Sequence, residues 1–131
     1  MASTVDWLYP PHLLLMRYFD RIVVEDIPHG SDMLEVLLAE AAAPVHMIID
    51  LSEVKEIGIG LRELKAAAPP NQPKIHWMAV ITPNPVFRFL ASAAIQFSSG
   101  HYRMFPNRDE ALIFLMTQDA RLKDIITDGN S

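Results

Sequence analysis

The chain has 131 residues, 50% of them hydrophobic, enough for one core and too few for two ordinary domains, so a single domain over 1–131 is expected. A formal charge of -5, with Lys and Arg scattered and no basic stripe, argues against nucleic acid and against anionic membrane surfaces as partners. The absence of cysteine removes disulfide frameworks, thiolate zinc sites and cysteine nucleophiles, and fits a reducing compartment.

Taken from the start, Met1 to Asp6 lacks the basic region and apolar run of a leader. No stretch approaches the ~20 apolar residues that span a bilayer. The expectation is a cytoplasmic protein with no membrane span. Val5 to Tyr9 and Leu13 to Phe19 read as short strands, and Pro10-Pro11 between them suits the turn of an antiparallel hairpin at the sheet's edge. Asp20 to Gly30 is mixed in polarity and carries Pro28, so the first helix is expected to begin after Ser31 or Asp32. Asp32 and Glu35 have capping-box spacing. Met33, Leu34, Val36, Leu37 and Leu38 supply the apolar face, and Pro44 closes the segment.

Val45 to Leu51 is a nearly continuous apolar run, the pattern of a central strand covered on both faces. It is expected to end at Ser52 and lead through Gly58-Ile59-Gly60 into a helix over 61–68. Pro69 to Pro73 is a stiff connector to a third parallel strand, Ile75 to Ile81. After Thr82-Pro83, Asn84 is placed to cap a helix with Pro85 at its first position, running to Ser98 or Ser99. His101 to Phe105 is the last strand. Asn107 with Glu110 then starts a final helix carrying Ala111, Leu112, Leu115 and Met116, and Thr127 to Ser131 is a polar tail. The fold class is α/β: a mixed, mostly parallel sheet of about five strands, with an N-terminal hairpin and helices packed on it.

Two stretches, MIIDLSEVKEIGIGL at residues 47–61 and ITPNPVFRFLASAAIQFSSGHYRMFPNRDEALIFL at 81–115, resemble the STAS family. These are the small α/β domains of anti-sigma-factor antagonists and their bacterial relatives, a lipid-carrier-like branch among them. The resemblance covers most of the chain and implies that fold, together with a non-enzymatic regulatory or protein-interaction role. One departure bears on regulation. Phosphorylated members carry Asp-Ser-Ser-Gly where this chain has Gly58-Ile59-Gly60-Leu61, so the acceptor serine is missing. Ser52 does not inherit that role by position.

In an open α/β sheet, partners and ligands meet the loops beyond the carboxyl ends of the parallel strands. That edge would gather Asp50, Ser52, Gly58, Ile59, Gly60, Thr82, Asn84 and Asn107. The competing reading gives Asp50 and Ser52 a local turn, and leaves Thr82, Asn84 and Asn107 as helix caps. The two glycines alone do not make a phosphate loop. The dinucleotide fingerprint and the P-loop are both absent, and no cofactor is expected. His46, His76 and His101 begin three successive parallel strands, so aligned registers would bring three imidazoles to the opposite edge. Without a metal-binding spacing they are expected to bond backbone groups, with no metal bound.

The segment from Pro85 to Ser98 is unusually apolar. Val86, Leu90, Ala93, Ala94 and Phe97 are assigned to the sheet, which leaves Phe87, Ala91 and Ile95 unaccounted for and turns Phe89 outward. Such a surface marks a protein partner, a second copy or a lipid, unless the terminal segment Leu122 to Ile126 covers it. Three functions follow in order: an interaction module, a carrier of a small apolar ligand, and an enzyme working at the Asp50, Ser52 and Thr82 edge. The enzyme ranks last because no base is visible beside Ser52.

Overall fold

The structure, a computed structural model, describes residues 3–10, 12–41, 45–60, 62–63, 74–95 and 101–129. Five strands form one sheet in sequence order: β1 (Ser3–Tyr9), β2 (Leu13–Ile22), β3 (Val45–Ile57), β4 (Ile75–Ile81) and β5 (His101–Phe105). The first pair is the expected antiparallel hairpin, closed by the His12 N–H donating to the Tyr9 carbonyl at 2.9 Å. β2, β3, β4 and β5 run parallel to one another, which makes β3 the middle strand.

Four helices are described: α1 (Asp26–Ala39), α2 (Pro85–Ile95), α3 (Arg108–Gln118) and α4 (Ala120–Gly129). Alternation along the strands sends side chains to two cores. Leu14, Met16, Val45, Met47 and Val80 pack with Leu34 and Leu38 of α1 and with Phe87, Leu90 and Ala91 of α2. Leu13, Ile48, Ala79 and Ile81 face Ala111 and Leu115 of α3 and Leu122 and Ile126 of α4 on the other side. Val45 and Ile48 are both fully buried, as a strand covered on two faces requires.

Several expectations need correction. The first helix starts at Asp26, not after Ser31, because Pro28 falls in the first turn, where a missing N–H leaves no bond unmade. Its start is held by the buried Asp26 carboxylate, which accepts the Val23 N–H at 2.8 Å, and the expected box at Asp32 lies inside the helix. β3 does not end at Ser52 but runs to Ile57. From Ser52 to Glu56 only Val54 is buried, and Ser52, Glu53, Lys55 and Glu56 are exposed, so this part of the strand packs through a single side chain and is otherwise open to solvent. The terminal segment is helical through Gly129, and its Leu122 and Ile126 lie in the second core, so it does not cover α2. Pro44, the connector 69–73, and the end of the α2 segment at 96–100 lie outside the described residues. So does most of the helix expected over 61–68, of which Arg62 and Glu63 are described and helical.

Candidate functional site

β4 stays paired with β3 only as far as Ile81, opposite Asp50, and this row forms the carboxyl edge of the sheet. Asp50 is 7% exposed and accepts three hydrogen bonds. The Ser52 N–H at 2.9 Å and the Ser52 hydroxyl at 2.6 Å reach its Oδ1, and Arg108 Nη2 reaches Oδ2 at 3.3 Å. Burial works to raise the Asp50 pKa, but the two bonds from Ser52 and the Arg108 guanidinium outweigh it and hold the carboxyl below its ordinary value. A carboxylate held ionised in this way is a weak base toward the Ser52 hydroxyl. Arg108 is the first residue of α3, whose N-cap Asn107 accepts the Glu110 N–H at 2.9 Å, as the spacing predicts.

Thr82 and Asn84 sit at the same edge in structural roles. Thr82 is fully buried, donates its N–H to the Phe105 carbonyl at 3.0 Å and accepts the Asn84 N–H at 3.2 Å on its hydroxyl. Asn84 accepts the Val86 N–H at 2.9 Å and the Phe87 N–H at 3.3 Å, which makes it the expected cap of α2.

The glycine segment does not join this edge along the chain: β3 continues from Asp50 to Ile57 before Gly58 is reached. Over this stretch β3 pairs with the end of β2, and the register shifts twice, between Arg17 and Phe19 and between Asp20 and Arg21. Each shift adds a residue to β3, and such bulges bend and twist a strand pair. Asp20 adopts φ 58 at the second shift, a left-handed conformation that Asp tolerates better than most residues. The bend returns Ile22, Val54 and Ile59 to the first core, so Ile59, at 6% exposure, is a packing residue with no face for a partner. Gly58 and Gly60 remain exposed. The Gly58 N–H donates to the Ile22 carbonyl at 2.8 Å, and the Gly60 N–H to the Glu63 carboxylate at 2.7 Å, so the exposed glycine N–H groups are already committed.

Between the ends of β2 and β3 lies an open groove of about 390 Å³ lined by Phe19, Asp20, Ser52, Glu53, Val54 and Lys55. Three of these six are charged, which is poor chemistry for an apolar ligand. On α2 the helical phase differs from the expected one. Phe87, Leu90 and Ala91 pack on the sheet, whereas Val86 and Phe89 stand out at 62% and 65% exposure. Phe89 points outward as expected and Val86 does not point inward. Arg88, also exposed, is the one charged residue of the helix.

At the opposite, amino edge the three imidazoles do line up. Ring centres lie 5.8 Å apart for His46 and His76 and 5.9 Å for His76 and His101. His46 is 1% exposed, and its Nε2 bonds Asp119 at 2.9 Å, a side chain rather than the expected backbone group. Burial lowers the His46 pKa, with the Asp119 bond acting in the other direction. Asp119 joins α3 to α4 and also takes Arg121 Nη2 at 3.2 Å. Among the described residues no set of three or more ligating side chains converges on a metal position.

The sheet order, its single antiparallel pair and the two helical layers have a counterpart among solved structures. An uncharacterised protein of the DUF3478 family from Shewanella loihica PV-4, described as having a SpoIIAA-like fold, superposes with a TM-score of 0.58 at 18% identity, over 87% of this chain and 92% of that one. This chain has a SpoIIAA-like fold. That is the fold of STAS domains and anti-sigma-factor antagonists, as the two sequence stretches imply. No family model matches the chain. No curated protein matches it either.

Within this SpoIIAA-like fold, the sequence reasoning missed two residues, Arg108 and Asp119. Arg108 lies 58 positions from Asp50 and Asp119 lies 73 from His46, so neither partner leaves a local pattern. The spacing signal that did exist for Arg108 is its place directly after the cap Asn107, which puts its side chain at the edge where β3 ends its pairing with β4.

Proposed function

We propose that this chain is a non-enzymatic protein-interaction module of the STAS type, acting in regulation, with the outer face of α2 as its docking surface. The observation that carries the reading is the pair Val86 and Phe89, each more than 60% exposed on one helix. An exposed phenylalanine can bury its large apolar area only against another molecule. We include the charged rim of the β2–β3 groove and the exposed Gly58 and Gly60 among the surfaces a partner would meet. The fold supports the reading, since the likeness is to a SpoIIAA-like domain. A cytoplasmic location fits a chain in which no described helix is long and apolar enough to cross a membrane.

The alternative, a carrier of a small apolar ligand, draws less support because the groove is open and half charged. An enzyme at the Asp50 edge draws least, since Asp50 is tied to Arg108 and held ionised.

A second copy of the chain is the simplest partner. Phe89→Glu places a charge in the contact without touching either core, so the variant should keep its circular dichroism and thermal midpoint. Its sedimentation profile should shift from the dimer to a 14.8 kDa monomer. Should the variant unfold, Phe89 is a core residue and the docking face is wrongly placed. A folded variant of unchanged mass would exclude self-association through this face and leave a different protein as its partner.

A further inference from the structure

The imidazole row at the amino edge belongs to a different part of the fold from the proposed docking face, and its second and third members differ from His46 in one respect. His46 is buried and its Nε2 is bound to Asp119, whereas His76 and His101 are exposed. Neither of these two rings takes part in a hydrogen bond or an ion pair among the described residues; both make ring contacts, and His76 also acts electrostatically on His46.

We infer that His76 and His101 form an open two-imidazole chelate for a borderline divalent transition metal, Cu(II) or Ni(II) before Zn(II). A metal about 2.0–2.1 Å from an imidazole nitrogen sits about 3.2 Å from the ring centre, so two rings sharing one ion have centres about 5 to 6.5 Å apart, from tetrahedral to linear N–metal–N angles. The observed separation is 5.9 Å, with the ring planes 62° apart. The two histidines belong to neighbouring parallel strands: His101 pairs with Trp77, the residue that follows His76, so both rings are carried by the sheet and not by a loop. Imidazole nitrogens suit Cu, Ni and Zn, and affinity at such a site rises from Ni(II) to Cu(II) and falls again at Zn(II). Solvent completes the coordination, because the third histidine and Asp119 are engaged with each other. Ca(II) and Mg(II), which require oxygen ligands, are excluded by the same chemistry.

Trp77 gives the site its own reporter, since its ring centre lies 5.1 Å from that of His101. The chain contains two tryptophans, so Trp7→Phe leaves Trp77 as the single emitter. The test is titration of the full chain, free of any affinity tag, with Cu(II), Ni(II) and Mg(II), followed by calorimetry and by Trp77 fluorescence. One Cu(II) per chain should bind with quenching, Ni(II) more weakly and Mg(II) not at all. His76→Ala and His101→Ala should each weaken Cu(II) binding at least tenfold and remove the quenching, while both remain folded by circular dichroism. His29→Ala, a substitution on α1, should change neither quantity. Copper binding that survives both single substitutions, or wild-type binding no tighter than that of the double variant, would overturn the assignment.

Discussion

Asp119→Ala tests the joint that fixes α3 and α4 to the sheet. In the folded chain the Asp119 side chain is 9% exposed and holds three things at once. It bonds His46 Nε2 at 2.9 Å, accepts the Arg121 N–H at 3.0 Å at the start of α4, and takes the Arg121 guanidinium. His46 Nδ1 is buried without a partner among the described residues, so removing the carboxylate leaves the imidazole with neither nitrogen bonded to them. Leaving a buried polar group unsatisfied costs about 1–3 kcal/mol. Losing the acceptor at the helix start costs about 1 kcal/mol more. The expected destabilisation is therefore about 2–4 kcal/mol, read from the shift of the urea midpoint at pH 7.5 with an unchanged slope. Arg121→Ala, at a half-exposed side chain, should cost under about 1 kcal/mol. Combining Asp119→Ala with His46→Phe should cost less than the sum of the two single changes by about 1 kcal/mol or more, because they share one bond. An Asp119→Ala variant within about 0.5 kcal/mol of wild type would refute the joint as a source of stability.

The same pair sets an acid dependence. Burial, the largest influence, keeps the folded His46 pKa below its ordinary value, so as pH falls through about 6.5 the unfolded chain takes up its proton first and stability declines. Burial acts to raise the Asp119 pKa, but the Arg121 and His46 bonds outweigh it and hold the group well below the carboxylate range. Below about pH 4 the unfolded chain again binds protons ahead of the folded one, giving a second decline. Urea midpoints at pH 7.5, 5.5 and 3.5 should fall in that order, and a midpoint that rises between 7.5 and 5.5 would contradict the sign for His46. Asn84→Ala removes the acceptor of two N–H groups at the start of α2 and should cost about 1 kcal/mol, whereas Asn84→Asp should cost much less; thermal melts of the two variants check the difference.

Much of the fold was legible because its signals are local. Pro10-Pro11 announced the hairpin, Asn84-Pro85 and Asn107 with Glu110 announced two helices, and the apolar run from Val45 announced the central strand. Two of three misreadings share a cause, a local rule applied without its context, and the third is an ambiguity of pattern. Pro28 breaks a helix interior but is accommodated in a first turn, so α1 began earlier than expected. Glu53 to Glu56 looks too polar for a strand until β3 is seen to leave β4 and continue beside β2 alone. The phase of α2 could not be fixed from so many apolar residues, since Val86 and Phe87 compete for one inward position. At the candidate site, Asp50 and Ser52 do meet by short-range contacts that the sequence suggests. Arg108 and Asp119 reach their partners through tertiary packing, and the only local sign of either is the place of Arg108 directly after the cap Asn107. The histidine row was visible as three strand starts, and only the register could turn that coincidence into neighbouring rings.

The central claim, that the outer face of α2 is where another protein docks, is most directly tested by site-specific photo-crosslinking in the cells that make the chain. A benzophenone amino acid replaces Phe89 in one version and Ile113 in another. Ile113 is a fair control, being exposed to 58% on α3 against the second core, on the other side of the sheet. Position 89 should give a discrete protein adduct after irradiation, to a second copy or to a different protein, and position 113 none. Equal labelling at both positions, or no adduct from position 89, would contradict it.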